Sequence, residues 1–199
     1  MKKFILILLA VAGLSLSAKA AEPKDILGAL GGMVSNAVAN DNFSVDDIVG
    51  TWNYTGPAVG FASDNALKKI GGAAASATIE GKLEPYYKKL GLNKVTFVIA
   101  EDHSFTMTFG KVNLKGNIEK GDDGKLTFSF NALGKVPLGK VSAMATKAGN
   151  TLNLTFDATR LIQILSKVAS IAKNSGISSI TKLLESYDGI YMGFKLKKA

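Results

Sequence analysis

From Asn93 to Phe156 the chain alternates apolar and polar residues in short runs, and a period of two fits an extended strand with one buried face. The runs carry Val95, Phe97 and Ile99; Phe105, Met107 and Phe109; Val112, Leu114 and Ile118; Leu126, Phe128 and Phe130; and Leu152, Leu154 and Phe156. Glu101 to Ser104, Gly121 to Gly124 and Gly149-Asn150 supply turn chemistry between them, and Val136 to Lys147 reads as a less regular strand. Short strands joined by tight turns make an antiparallel meander. Its apolar face must be hidden by a second sheet or by closure on itself. Closure is expected, because an early strand (Val49 to Tyr54) and a last one (Ile190, Met192, Phe194, Leu196) are natural partners for each other's open edges.

Helical spacing interrupts the strands at two places. After Gly56-Pro57, which is expected to end the first strand, Ser63-Asp64-Asn65 offers an N-cap for a helical pair. Its second member carries Ile79, Leu83, Tyr86 or Tyr87, and Leu90, with Pro85 as a kink or break and Gly91 as a C-cap. The spacing returns at Leu161, Ile164, Leu165, Val168 and Ile171, and again at Ile177, Ile180, Leu184 and Tyr187, broken by Asn174-Ser175-Gly176. The expected fold is mostly β with helices (α+β): an up-and-down antiparallel barrel, a helical pair after the first strand, and helices before the last.

The N-terminus has the order of a secretory signal peptide: Met1-Lys2-Lys3, an apolar run from Phe4 to Leu16, then Ala18-Lys19-Ala20. That run is shorter than the roughly 20 residues of a spanning helix. The expected division is 1–20 signal peptide, 21–48 N-terminal helix and linker, and 49–199 barrel domain, the helix being a weak stripe of Ile26, Leu27, Leu30, Met33, Val34, Ala37 and Val38. With no cysteine, the exported chain has no lipidation site, disulfide or thiolate metal site, and it belongs in the periplasm or outside the cell. Removing Lys2, Lys3 and Lys19 takes the formal charge from +8 to +5. The excess is scattered and lacks the basic cluster of a nucleic-acid binder.

Residues that carry chemistry are sparse. His103, the single histidine, sits in a turn between Asp102 and Ser104, a poor place for a base that must be oriented beside a nucleophile. Gly121-Asp122-Asp123-Gly124 reads as a hairpin turn, since calcium needs six or more oxygen ligands. Glu80, Glu84, Asp157 and Asp188 have no spacing suggestive of a paired-carboxylate site, and Glu80 and Glu84 read as a solvated helix face. No cofactor, no metal and no catalytic residue is expected.

The stretch Gly50-Thr51-Trp52, with the only tryptophan of the chain, places Gly-x-Trp at the start of the first strand. A Gly-x-Trp there resembles the lipocalin superfamily, and the helical pair after it resembles the lid of the smaller fatty-acid-binding barrels. The run from "GTWNYTGPAVGFASDNALKKIGG" to "KLEPYYKKLG", with the strand-rich half that follows, resembles an uncharacterised family of secreted bacterial lipocalin-like proteins, domain of unknown function family 4923. The resemblance covers the mature chain and implies an architecture, with no established activity. It also implies a cation packed on Trp52, for which Arg160 and Lys195 are the candidates. The helices before the last strand depart from the lipocalin order.

On this reading the protein is an exported, non-enzymatic module that binds a small hydrophobic ligand inside the barrel. The lining residues are then Trp52, Tyr54, Phe97, Phe105, Met107, Phe109, Phe128, Phe130, Phe156, Met192 and Phe194. The alternative is a barrel filled by those same side chains, serving as a structural or protein-interaction scaffold.

Overall fold

The computed structural model describes residues 43–61, 73–121, 124–132, 135–168, 175–187 and 189–199. Eight strands form one closed barrel in chain order: β1 (Gly50–Phe61), β2 (Thr96–Ile99), β3 (Ser104–Phe109), β4 (Val112–Lys120), β5 (Leu126–Ala132), β6 (Val136–Ala148), β7 (Thr151–Asp157) and β8 (Ile190–Lys198). Each pairs antiparallel with the next, and β8 returns to β1, so the two strands expected to close the barrel do so. Among the described residues three helices join them: α1 (Ala73–Leu90) after β1, and α2 (Ala158–Ser166) and α3 (Ser175–Leu184) before β8.

The period of two becomes burial. In β3, Phe105, Met107 and Phe109 are buried while Ser104, Thr106 and Thr108 between them are partly open. Register carries the apolar face round the wall: Trp52 lies opposite Phe97, Phe97 opposite Met107, and Met107 opposite Leu114. Gly116 occupies the next inward position of β4, opposite both Phe105 and Phe130. A Cβ there would lie 1.7 Å from the Ser129 carbonyl oxygen and 2.8 Å from the Phe105 ring. Only glycine fits, and its lack of a side chain lets the two rings meet at 4.9 Å.

One end of the barrel is plugged by a 3-10 turn, Val45–Ile48, which buries Val45 and Ile48. The Trp52 indole N–H donates to the Ile48 carbonyl at 2.7 Å, tying the plug to the first strand. Toward the end where β7 leaves and β8 begins, α2 packs on β6, β7 and β8, α3 packs on α2, and α1 runs from α3 along β1. The Asp157 carboxylate caps α2 by accepting from the Arg160 N–H at 2.8 Å.

Three expectations are corrected. β1 does not stop before Gly56-Pro57; it continues to Phe61 through a register shift between Tyr54 and Gly56. The proline is tolerated because its missing N–H falls on the same side as that of Val59, an edge with no strand partner among the described residues. Pro85 does not break the second helix either; α1 is continuous across it for 18 residues. Gly91, left-handed at φ 77°, ends that helix as expected. Helix α2 stops at Ser166, before Val168 of the stripe read there. The signal peptide, the 24–40 helix, the 63–72 member of the helical pair, Ile171, Asp122, Asp123 and Asp188 lie outside the described residues.

Candidate functional site

The expected lining residues do converge. Phe97, Phe105, Phe128, Phe130, Phe156 and Phe194 are each at most 2% exposed, and their rings form one connected network. Phe105 meets Phe128 at 5.0 Å and Phe130 at 4.9 Å, Phe128 meets Phe156 at 5.0 Å, and Phe97 meets Phe194 at 5.6 Å, edge-on or tilted as aromatic quadrupoles favour. Met107, Phe109 and Met192 are buried in the same cluster, and Tyr54 packs against it from β1.

Trp52 stands at the plugged end. A cation does sit over its ring, 5.8 Å from the centroid, but it is Lys198. Antiparallel pairing of β1 with β8 puts Lys198 directly across from Trp52. The two expected candidates are engaged elsewhere, Arg160 with Gln163 on α2 and Lys195 with Glu80.

The flank of β1 beyond Tyr54 is built differently from the rest of the wall. β2 pairs only with Gly50 to Asn53, and one further bond, Tyr54 N–H to the Val95 carbonyl at 3.1 Å, extends the ladder. Past that point α1 lies along the edge, and its side chains replace a strand. The Glu80 carboxylate accepts from the Val59 N–H through Oε1 at 3.2 Å and from Lys195 Nζ through Oε2 at 2.6 Å. Its side chain is 17% exposed. Glu84, one turn on, accepts from the Tyr54 hydroxyl at 3.1 Å and pairs with Lys88 at 3.3 Å. These two carboxylates are therefore not a solvated face: each binds groups of the barrel, which relieves the like-charge spacing.

Beneath them lies a corner of three rings. Tyr87 is fully buried, donates its hydroxyl to the Gly193 carbonyl at 2.8 Å, and faces Phe194 at 5.6 Å and Tyr54 at 6.2 Å. Burial raises the Tyr87 phenol pKa, with Tyr54, Glu80 and Glu84 adding to it. Burial, then the hydrogen bond and charge of Glu84, also raise that of Tyr54. Ser76, one turn before Glu80, is buried with its hydroxyl unpartnered among the described residues. Sequence reasoning missed Glu80, Glu84 and Lys195 as a group and left Tyr86 and Tyr87 unresolved. The available signal was Glu80, Glu84 and Tyr87 at helical spacing, which puts acids and a phenol on one side of α1.

Elsewhere the polar groups serve turns. His103 adopts φ 61°, and its Nε2 lies 3.0 Å from an Asp46 carboxylate oxygen, joining the β2–β3 turn to the plug. Asp102, bonded by the Ser104 side chain and backbone, is held below the usual carboxylate range. Gly121 N–H donates to the Lys125 carbonyl at 2.7 Å across the β4–β5 turn, with Gly124 left-handed, as a hairpin requires. Among the described residues no group of three or more His, Cys, Asp and Glu side chains could hold a metal ion, and no helix is long and apolar enough to cross a membrane.

A search of curated proteins returns no match to the chain. The family model described as "Lipocalin-like domain (DUF4923)" matches residues 28–198, which takes in the whole barrel with its helices. Sequence alternation, closed eight-strand topology and the family match agree: this chain belongs to the lipocalin-like domain family DUF4923.

Proposed function

We propose that this lipocalin-like protein is an exported, non-enzymatic binding module that takes a small hydrophobic ligand beneath α1, against the aromatic interior of the barrel. The observation that carries the reading is the flank of β1 beyond Tyr54, where a helix held by side chains lies over Tyr54 and Phe194 and adds its own Tyr87 to their rings. Segments held by few backbone bonds open locally at lower free energy than the globule unfolds, and binding sites are drawn from such segments. An opening of α1 before Gly81 gives access to the corner formed by Tyr54, Phe194 and the helix's own Tyr87. Phe97, Phe105, Phe128, Phe130, Phe156, Met107, Phe109, Met192 and Trp52 form the floor and walls behind them. Export is supported by the signal-like segment 1–20, with 21–48 as an N-terminal helix and linker and 49–199 as the barrel domain. The lone histidine, engaged with Asp46 in a turn, supports a non-enzymatic role.

Native mass spectrometry of the protein purified gently from its own host tests the reading. A small apolar molecule that leaves on unfolding supports it and identifies the ligand class. An apo mass that persists with a lipid extract present moves the assignment to the second reading, a filled barrel acting as a scaffold. That reading is favoured by the ring-on-ring packing of the six phenylalanines.

A further inference from the structure

We infer that Val59 N–H and Lys195 form a carboxylate receptor which Glu80 occupies in the unliganded protein, and that the ligand is an amphiphile whose carboxylate head displaces Glu80. This rests on the binding reading above and names the ligand's chemical class. Two donors converge on one carboxylate, a backbone N–H on Oε1 and an ammonium on Oε2. Neither donor belongs to α1. Val59 lies on β1 and Lys195 on β8, so the receptor is part of the barrel wall and only its occupant comes from the helix. The Lys195 stem runs past Gly56, where a Cβ would sit 3.8 Å from its Cδ, and this directs the ammonium across β1 to the helix.

A barrel edge N–H and a partly buried ammonium both need an acceptor when α1 moves, and a carboxylate from outside meets the same two donors on the same terms. The apolar part of such a molecule has the adjoining rings of Tyr54, Tyr87 and Phe194 to lie against. The helix is weakest where this exchange requires it to move. Pro85 cannot donate to the Gly81 carbonyl, and Gly81 has open space about its Cα, so α1 bends most easily just after Glu80. Tyr87, anchored to Gly193, holds the C-terminal part in place. Ser76, moving with the N-terminal part, leaves a buried site in which its hydroxyl has no partner among the described residues.

The test compares three twelve-carbon probes below their micelle concentrations by titration calorimetry: dodecanoate, dodecanol and dodecyltrimethylammonium. Dodecanoate is expected to bind about tenfold more tightly than dodecanol, as a charge-assisted hydrogen bond implies, and the cationic probe most weakly. Glu80→Gln, which vacates the receptor more readily, tightens dodecanoate about fivefold. Lys195→Met removes the preference for dodecanoate over dodecanol, and Lys195→Arg keeps it; near-ultraviolet circular dichroism verifies that each variant is folded. Equal binding of dodecanoate and dodecanol to the wild type, or a preference that survives in folded Lys195→Met, overturns the receptor while leaving the hydrophobic-ligand reading intact. Failure of every probe to bind the wild type and Glu80→Gln overturns both.

Discussion

The barrel wall is closed in two ways. From β2 round to β8 every strand has a neighbour on both sides, and the interior behind that ladder is ring packed on ring. Along β1 beyond Tyr54 one side keeps its strand, β8, while the other has α1, with a glutamate standing in for a backbone carbonyl at Val59. The first closure distributes its energy over many bonds and much buried apolar area. The second concentrates its polar contacts in a few side chains that can exchange partners. The contrast separates a rigid part, where substitutions change global stability, from a part where they change local opening and binding.

The largest effect belongs to the rigid side. Phe156 has ring partners at 5.0 Å (Phe128), 6.1 Å (Phe130), 6.4 Å (Phe97) and 6.4 Å (Phe194), so truncation opens a cavity that close packing cannot refill. Phe156→Ala is expected to lower stability by about 3–5 kcal/mol in urea unfolding. A loss below about 1.5 kcal/mol would mean that the interior is loose, and the contrast between the two flanks would collapse. Next comes Gly116→Ala, an overpacking of the same region, with an expected loss of about 1–3 kcal/mol. It falls at the upper end because the nearest atom is the Ser129 backbone carbonyl.

Tyr87 joins the two regions, being a residue of α1 buried against β8. Tyr87→Phe leaves the Gly193 carbonyl without its donor, at an expected cost of about 1–2 kcal/mol. Tyr54 and Tyr87 both have pKa values raised from 10.0 in the folded protein. Their contribution is therefore fully present below pH 10, where the unfolded phenols are protonated, and is lost as pH rises above it, because only the unfolded chain then releases the protons. Stability measured by urea unfolding from pH 9 to 11.5 is expected to fall more steeply in the wild type than in Tyr87→Phe. Equal slopes would show that this phenol is accessible and that α1 is already open.

The rigid wall was legible in the sequence because its cause is periodic. Phe97, Phe105, Phe128 and Phe156 each occupy the apolar phase of an alternating run, and the period of two assigns them all to one face. Gly116 sits in that phase too, yet nothing local announces that two rings would meet across it. The α1 flank was hidden for a different reason. Glu80 and Glu84 look like solvent-facing charges at helical spacing, and their partners Lys195, Val59 and Tyr54 are set by tertiary register. Lys195 gave way to Lys198 as the Trp52 cation by the same arithmetic: which lysine of Lys195, Lys197 and Lys198 lands on the ring depends on the shift at Tyr54/Gly56. Pro57 misled in the opposite direction, since a proline read as a strand terminator is harmless on an edge that a helix covers.

The smallest global effect is expected at Lys195, and it discriminates best between the two closures. Its ion pair with Glu80 is partly exposed, so Lys195→Met is expected to change urea stability by about 1 kcal/mol or less. Losing the ammonium removes one of two contacts that hold Glu80 over the Val59 N–H, and the remaining hydrogen bond then opens more often. Amide hydrogen exchange is expected to accelerate several-fold at Val59 while the rates at Met107 and Phe128 in the ladder stay as in the wild type. Acceleration spread evenly over all three would mean that α1 and the ladder open as one cooperative unit. In that case β1 would not be closed by a separable helix, and ligand entry would require the barrel itself to open.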